Sequence, residues 1–210
     1  MRNSVRTRIK ICGFKCVASA VDAAHAGADA IGLVFYPPSP RYVDLTQATL
    51  IARALPAFVS SVALFVDADV AMVNAVIAEV KPNLLQFHGD ESPAYCRQFN
   101  LPYIKAVRVR QGLDLVQYAL QFNDAQGLLL DAYIAGAAGG TGCGFDWDLI
   151  PADLPLPLIL SGGLDALNVG AAIRQTQPWA VDVSSGVEAS KGIKDAAKVA
   201  QFIQEVNNAY

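Results

Sequence analysis

Eight short apolar runs recur along the chain, each starting about 25 residues after the one before. They are "RIKIC", "AIGLVF", "VSSVALFV", "NLLQF", "YIKAVRV", "GLLLD", "LPLILS" and "WAVDVS". The stretches between them carry helical spacing: Val70, Val73, Val76, Ile77 and Val80 recur at three and four residues, as do Val199, Phe202, Ile203 and Val206. Strand-length runs alternating with helix-length segments predict βαβ units and a parallel sheet. Eight such units close into an α/β (β/α)8 barrel, the TIM-barrel architecture, and 210 residues lie at the short end of its usual length. An open doubly wound sheet is the alternative, but eight regular units without a breaker suit it less. No linker or low-complexity segment interrupts the pattern, so one domain over 1–210 is expected, with 53% hydrophobic residues to fill its core.

A barrel makes strand alternation informative. In "RIKIC", Ile9 and Ile11 share the face toward the outer helices, while Lys10 and Cys12 face the interior. Cys12 thus ends the first strand where catalysis resides in this fold. The residues alone leave two readings open, a small core side chain or a reactive group. The chain has four cysteines, Cys12, Cys16, Cys96 and Cys143, and two histidines, His25 and His88. None forms a CxxC pair, and the histidines lie far from them in sequence, so no metal site and no disulfide are expected.

Glycine-bearing stretches follow the last three runs: "AAGGTGCGF" with Gly140, Thr141 and Gly142, "LSGGL" with Gly162 and Gly163, and "DVSSGVE" with Ser184, Ser185 and Gly186. Backbone N–H groups unobstructed by Cβ can close on phosphate oxygens. The loops after strands seven and eight of a barrel are a recurrent phosphate site. The implied ligand is a phosphorylated small molecule of the sugar-phosphate type.

Other polar residues sit at strand ends. Asp131 closes "GLLLD", where apolar surroundings would raise its pKa and keep it protonated as a general acid, unless it simply caps a loop. Asp182 points inward if Ser184 does. His88 shares a face with Gln86 and reads either as a substrate contact or as a hydrogen-bonded support for a neighbouring loop. Arg41 lies in the proline-stiffened "FYPPSPRYV", a loop suited to holding an arginine toward a carboxylate; the other reading is a solvated surface arginine. His25 is read as structural, and Glu188 and Lys191 as capping or solvating the last helix.

Net charge is −3, and the basic residues are scattered without an aromatic-interleaved stripe, so nucleic acid is not an expected partner. No apolar run approaches a membrane span, and the basic opening "MRNSVRTRIK" lacks the apolar region of a signal peptide. A cytoplasmic protein is expected, with a monomer as the default and a dimer left open. The thiol, acid, arginine and phosphate cradle suit proton shuffling on a phosphosugar without a cofactor.

The residues "KICG" (10–13), "FYPPSPRYV" (35–43), "QFHGDE" (86–91), "LLLD" (128–131), "GGTGCGFDW" (139–147), "LSGGL" (160–164) and "AVDVSSGVE" (180–188) together resemble the phosphoribosylanthranilate isomerase family of tryptophan biosynthesis. The resemblance spans essentially the whole chain. It implies a single (β/α)8 barrel that catalyses an Amadori rearrangement of N-(5-phospho-β-D-ribosyl)anthranilate. Carried over by motif, the general base falls on Cys12, the general acid on Asp131, the carboxylate-binding arginine on Arg41, and the phosphate site on Gly162–Gly163 and Ser184–Ser185. A thiolate base requires a lowered pKa, and Lys10 on the same face is the expected cause. Two positions depart from the family pattern: Cys143-Gly144 replaces a polar pair, often Lys-Thr, in a loop expected to close over substrate, and Phe14-Lys15 replaces Ile/Leu-Thr. The related isomerase of histidine biosynthesis normally bears a carboxylate where Cys12 stands, and a non-catalytic phosphosugar-binding barrel would not need Cys12 and Asp131.

Overall fold

The computed structural model describes residues 6–132 and 145–209. Eight parallel strands close in sequence order: β1 (Arg8–Cys12), β2 (Ala30–Val34), β3 (Ser60–Phe65), β4 (Leu84–Phe87), β5 (Tyr103–Val109), β6 (Leu128–Ala132), β7 (Leu158–Leu160) and β8 (Ala180–Val183). Closure is made by β8 against β1, with Lys10 opposite Asp182 and Ile11 opposite Val183. Each of the eight apolar runs contributes one strand, as expected.

The helices are α1 (Val17–Ala26), α2 (Leu45–Ala54), α3 (Val70–Glu79), α4 (Pro93–Arg97), α5 (Leu115–Gln121), α6 (Val169–Thr176) and α7 (Ala196–Asn207). Their starts are written in the sequence: Asp44, Asp69, Ser92, Asp114 and Asp195 each accept a backbone N–H of the first turn, satisfying donors that have no partner within the helix. In α3 the stripe buries Val73 and Val76, with Val80 just beyond, but Val70 is exposed because it sits on the first turn next to the cap. Between β6 and β7 the described residues hold one 3-10 turn, Trp147–Leu149. After β8 come a second 3-10 turn, Ser185–Val187, and a small hairpin of β9 (Glu188–Ser190) and β10 (Ile193–Lys194).

The core divides as alternation requires. The layer between sheet and helices contains Ile9, Ile11, Ile31, Leu33, Phe65, Phe87, Leu128, Leu130 and Val181 together with the inner stripes of the helices. The barrel interior contains Ile104, Ala106, Leu129, Ile159 and Ala180, and nearer the mouth Cys12, Val34 and Leu64. Lys10, Gln86 and Asp182 are buried with them. The polar groups therefore gather at one end of a packed apolar barrel, where the C-termini of the strands meet. Among the described residues no helix is long and apolar enough to cross a membrane.

Candidate active site

Cys12 is buried at the end of β1, opposite Gly32 of β2. Gly13 follows with φ +93°, and a Cβ there would lie 2.6 Å from Cδ of Arg41, so the chain turns tightly behind the thiol and leaves room for the arginine stem. The Ser184 hydroxyl donates to the Cys12 carbonyl at 2.9 Å and ties the end of β1 to the turn after β8. One cavity is lined by Cys12, Arg41, His88, Asp131, Gly162, Gly163, Asp182, Ser184 and Ser185. Nine expected site residues, distributed over six strands or their following loops, thus meet at one mouth. Gly186 stands just behind its wall. Gly140, Thr141, Gly142 and the Cys143-Gly144 pair lie outside the described residues.

Two charge relationships differ from expectation. The Cys12 thiol is pushed up, not down. Burial is the largest cause; Lys10 and Lys194 pull it down, but Asp182 pushes it up again. Lys10 donates to Asp182 Oδ1 at 2.8 Å, so the cation beside the thiol is shared with a carboxylate. That pairing also raises the Lys10 pKa, against the burial that would lower it. The second difference is at Asp131. Burial alone would raise its pKa, but a hydrogen bond from His88, the nearby His88 and Arg108, and the Ala132 N–H together hold the carboxyl below its usual range. His88 is thus a partner of Asp131: Nε2 lies 3.0 Å from Asp131 Oδ2. The two reach each other across β5, whose inward residue Ala106 is small enough to leave the space. The other ring nitrogen, Nδ1, is 2.9 Å from Gln86 Nε2.

Arg41 is buried, not a solvated surface residue. Its Nε and one terminal nitrogen donate to the two oxygens of Glu188 at 2.7 and 2.9 Å, a bidentate fork. Lys194 donates to the same carboxylate at 2.9 Å and to the Ser184 carbonyl at 2.9 Å. Burial would raise the Glu188 pKa, but these two cations hold it down, while burial lowers that of Lys194. Glu188 therefore does not cap or solvate the last helix. That cap is Asp195, and Glu188 buttresses the mouth instead. The sequence signal for this was absent, because Lys194 and Glu188 are joined only by the hairpin that follows β8. His25 is exposed in the last turn of α1, and Lys191 is exposed.

The turn after β7 has Gly162 and Gly163 at φ +82° and +67°. A Cβ on Gly186 would fall 2.0 Å from the Leu164 carbonyl oxygen, so the turns after β7 and β8 pack into one continuous wall. A second network braces the opposite side from outside the barrel. Lys105, fully buried, donates to Glu91 Oε2 at 3.1 Å and to the Phe87 and Gly89 carbonyls at 3.3 and 2.6 Å, on either side of His88. Glu91 in turn accepts the Asp67 and Gly89 N–H groups. Sequence reasoning missed this pair, because the outward face of β5 gives no sign that Lys105 is covered.

A parallel (β/α)8 barrel with a thiol, a histidine-linked carboxylate and a glycine-turn wall at its C-terminal mouth defines an acid–base barrel enzyme. The comparisons make the class particular. Residues 9–205 match the family model for N-(5'-phosphoribosyl)anthranilate (PRA) isomerase. The chain is 58% identical over 199 residues to the N-(5'-phosphoribosyl)anthranilate isomerase of Nitrosospira multiformis, covering 95% of this chain and 96% of that one. It is 56% identical to that of Azotobacter vinelandii, covering 96% and 98%. Among solved structures it resembles the phosphoribosyl anthranilate isomerase of Thermotoga maritima, with TM-score 0.88, 39% identity and 96% and 99% coverage. It also resembles a phosphoribosyl anthranilate isomerase in complex with reduced 1-(o-carboxyphenylamino)-1-deoxyribulose 5-phosphate, with TM-score 0.86, 38% identity and the same coverage. The chain belongs to the N-(5'-phosphoribosyl)anthranilate isomerase family, and so to the isomerases of tryptophan biosynthesis.

Proposed function

We propose that this barrel mouth carries out the family's Amadori rearrangement with Cys12 as general base and Asp131 as general acid, converting N-(5-phospho-β-D-ribosyl)anthranilate to 1-(2-carboxyphenylamino)-1-deoxy-D-ribulose 5-phosphate. The observation that carries this reading is the placement of the Cys12 thiol and the Asp131 carboxyl on the wall of one cavity that also touches both glycine-serine turns. Phosphate binds those turns, at Gly162–Gly163 and Ser184–Ser185. The ribose then lies between β1 and β6. Asp131 gives a proton to the furanose ring oxygen, and the C1–O bond breaks to an open-chain iminium. Cys12 thiolate takes the C2 proton, the electron pair moves into the C1–C2 bond, and an enolamine results. Proton return at C1 and loss of the hydroxyl proton at C2 give the ketone. Arg41 orients the anthranilate carboxylate from the rim, and Asp182 holds Lys10 beside the thiol. His88 contacts substrate through the edge it shares with Asp131.

No cofactor or metal enters these steps. The whole chain acts as one domain, in the cytoplasm, as a monomer. Fluorescence-monitored turnover tests the reading with Cys12→Ser and Asp131→Asn beside the parent protein. Each substitution removes one proton-transfer group and is expected to cost roughly 10²–10⁴-fold in kcat. Turnover that survives both changes nearly intact would overturn the assignment.

A further inference from the structure

Gln86 is a buried residue that the proposed chemistry leaves unused, and its geometry is unusual. Its Nε2 lies 2.9 Å from His88 Nδ1, while its carbonyl oxygen Oε1 is buried without a hydrogen-bond partner among the described residues. A buried unpaired carbonyl is costly, so a purely structural glutamine would be expected to use both ends. In the arrangement seen, the amide donates to Nδ1, which must then be bare. That orientation pairs with the tautomer whose proton is on Nε2, so that Nε2–H donates to Asp131 Oδ2.

That is the discharged form of the acid. For Asp131 to deliver a proton, the His88–Asp131 pair must hold one more. Wherever that proton sits on the Nε2–Oδ2 line, Nδ1 then carries a hydrogen and needs an acceptor. The amide of Gln86, rotated by half a turn, supplies it: Oε1 accepts from Nδ1–H, and the amide nitrogen takes the place the carbonyl held. We propose that Gln86 is the positioning residue that lets the His88–Asp131 pair take up the catalytic proton, by turning its amide between a donor face for the discharged pair and an acceptor face for the charged pair. The proton comes from solvent and leaves to the ring oxygen. This rests on the reading of Asp131 as the general acid.

The pair's other neighbours are fixed in kind. Arg108 of β5 lies opposite Asp131 in register and favours the carboxylate. Across the mouth stand Cys12 of β1 and the Lys10–Asp182 pair between β1 and β8. Arg108 and Arg110 line a second cavity that shares His88, beside Asp90. Among these neighbours Gln86 alone can both donate to Nδ1 and accept from it.

The test uses the imidazole 15N signals and the pH–rate profile together. His25 and His88 are the chain's two histidines, so one His25→Gln spectrum assigns both. In the parent protein His88 should be the Nε2–H tautomer at high pH and gain Nδ1–H as the pair is protonated. Gln86→Leu, which offers Nδ1–H no acceptor, should move that transition and the basic limb of kcat down by about one pH unit or more. Gln86→Glu, which offers a fixed acceptor, should move both up, with KM little changed in each case. An Nδ1–H tautomer that persists to high pH in the parent protein would overturn the proposal, as would a uniform loss of rate with unmoved midpoints. Should Gln86→Leu not fold, Gln86→Glu and the parent spectrum still decide. The spectra need no substrate, so a failure of the Asp131 assignment would show separately, as turnover insensitive to Asp131→Asn.

Discussion

The Lys10 ammonium lies 2.8 Å from Asp182 Oδ1 at the seam where β8 closes on β1, two residues below Cys12. The cation that could stabilise a thiolate is therefore divided between two acids. Removing one competitor should shift the other. Asp182→Asn is expected to lower the Cys12 pKa, and Lys10→Met to raise it further. Thiolate absorbance near the ultraviolet edge, taken as the difference between each protein and its Cys12→Ser counterpart, measures this directly. No movement in either variant would mean that burial alone sets the thiol.

The same raised pKa has a consequence for stability. The folded thiol holds its proton more tightly than the unfolded one. Its contribution is complete below the ordinary thiol pKa of about 8.5 and is lost as pH rises through the folded value. Urea unfolding should thus show stability falling above that ordinary value, and the fall should be shallower in Cys12→Ser. An equal slope in both proteins would assign the loss to other groups.

Gly32 tests how closely the thiol is held. A Cβ there would lie 2.6 Å from Cys12 Sγ and 2.9 Å from its backbone Cα. Gly32→Ala should push the sulfur off its line to the cavity while costing about 1–3 kcal/mol from overpacking, within reach of a folded barrel. The expected result is a fall in kcat of about tenfold or more with KM nearly constant, since a misplaced reacting group loses rate rather than binding. A rise in KM alone would show that the thiol is not the group displaced.

The buried Arg41–Glu188 fork should dominate the stability of the rim. Breaking a buried pair by removing one charge costs about 3–5 kcal/mol, because the partner is left uncompensated. Glu188→Gln removes the charge that both Arg41 and Lys194 meet here and is expected to fall within this range. Arg41→Met combined with Glu188→Leu should recover part of the loss. Glu188 is held below its ordinary pKa, so its stabilisation is present above that value and disappears as pH falls through the folded one. Chemical denaturation at neutral and acid pH compares the three proteins, and a Glu188→Gln protein as stable as the parent would refute the pair's role.

How much of this was legible follows from the separations involved. Period-two alternation within β1 placed Lys10 and Cys12 on the interior face, and within β4 it placed Gln86 and His88 together, because those relations are local. Helix starts are set as locally, by the caps Asp44, Asp69 and Asp114. The direction of the Asp131 shift was not. It depends on His88, 43 residues away, reaching across β5 over the small Ala106, and a strand pattern says nothing about a strand two places round the barrel. Burial, which the sequence did indicate, is the largest single cause acting on Asp131, yet several smaller ones oppose it and prevail. Glu188 was misread for the opposite reason. A carboxylate just before a helix ordinarily solvates or caps, and the hairpin that turns it back onto Arg41 is specified only by the fold.

Gly186 offers a clean separation of phosphate binding from proton transfer. It touches neither Cys12 nor the His88–Asp131 pair, yet a Cβ at this position would meet the Leu164 carbonyl oxygen at 2.0 Å and the Asp165 Cα at 3.1 Å. Both are backbone atoms, so the two turns must move apart. Gly186→Ala should then weaken competitive inhibition by inorganic phosphate about tenfold or more, equivalent to at least ~1.4 kcal/mol. KM should rise in step, because a contact made equally in ground and transition states has been lost. At saturating substrate kcat should stay within about threefold, since neither proton-transfer group moves. Circular dichroism confirms that the barrel remains folded. If phosphate inhibition were unchanged while kcat collapsed, the turns after β7 and β8 would not be the phosphate site, and their packing would act on the chemistry by another route.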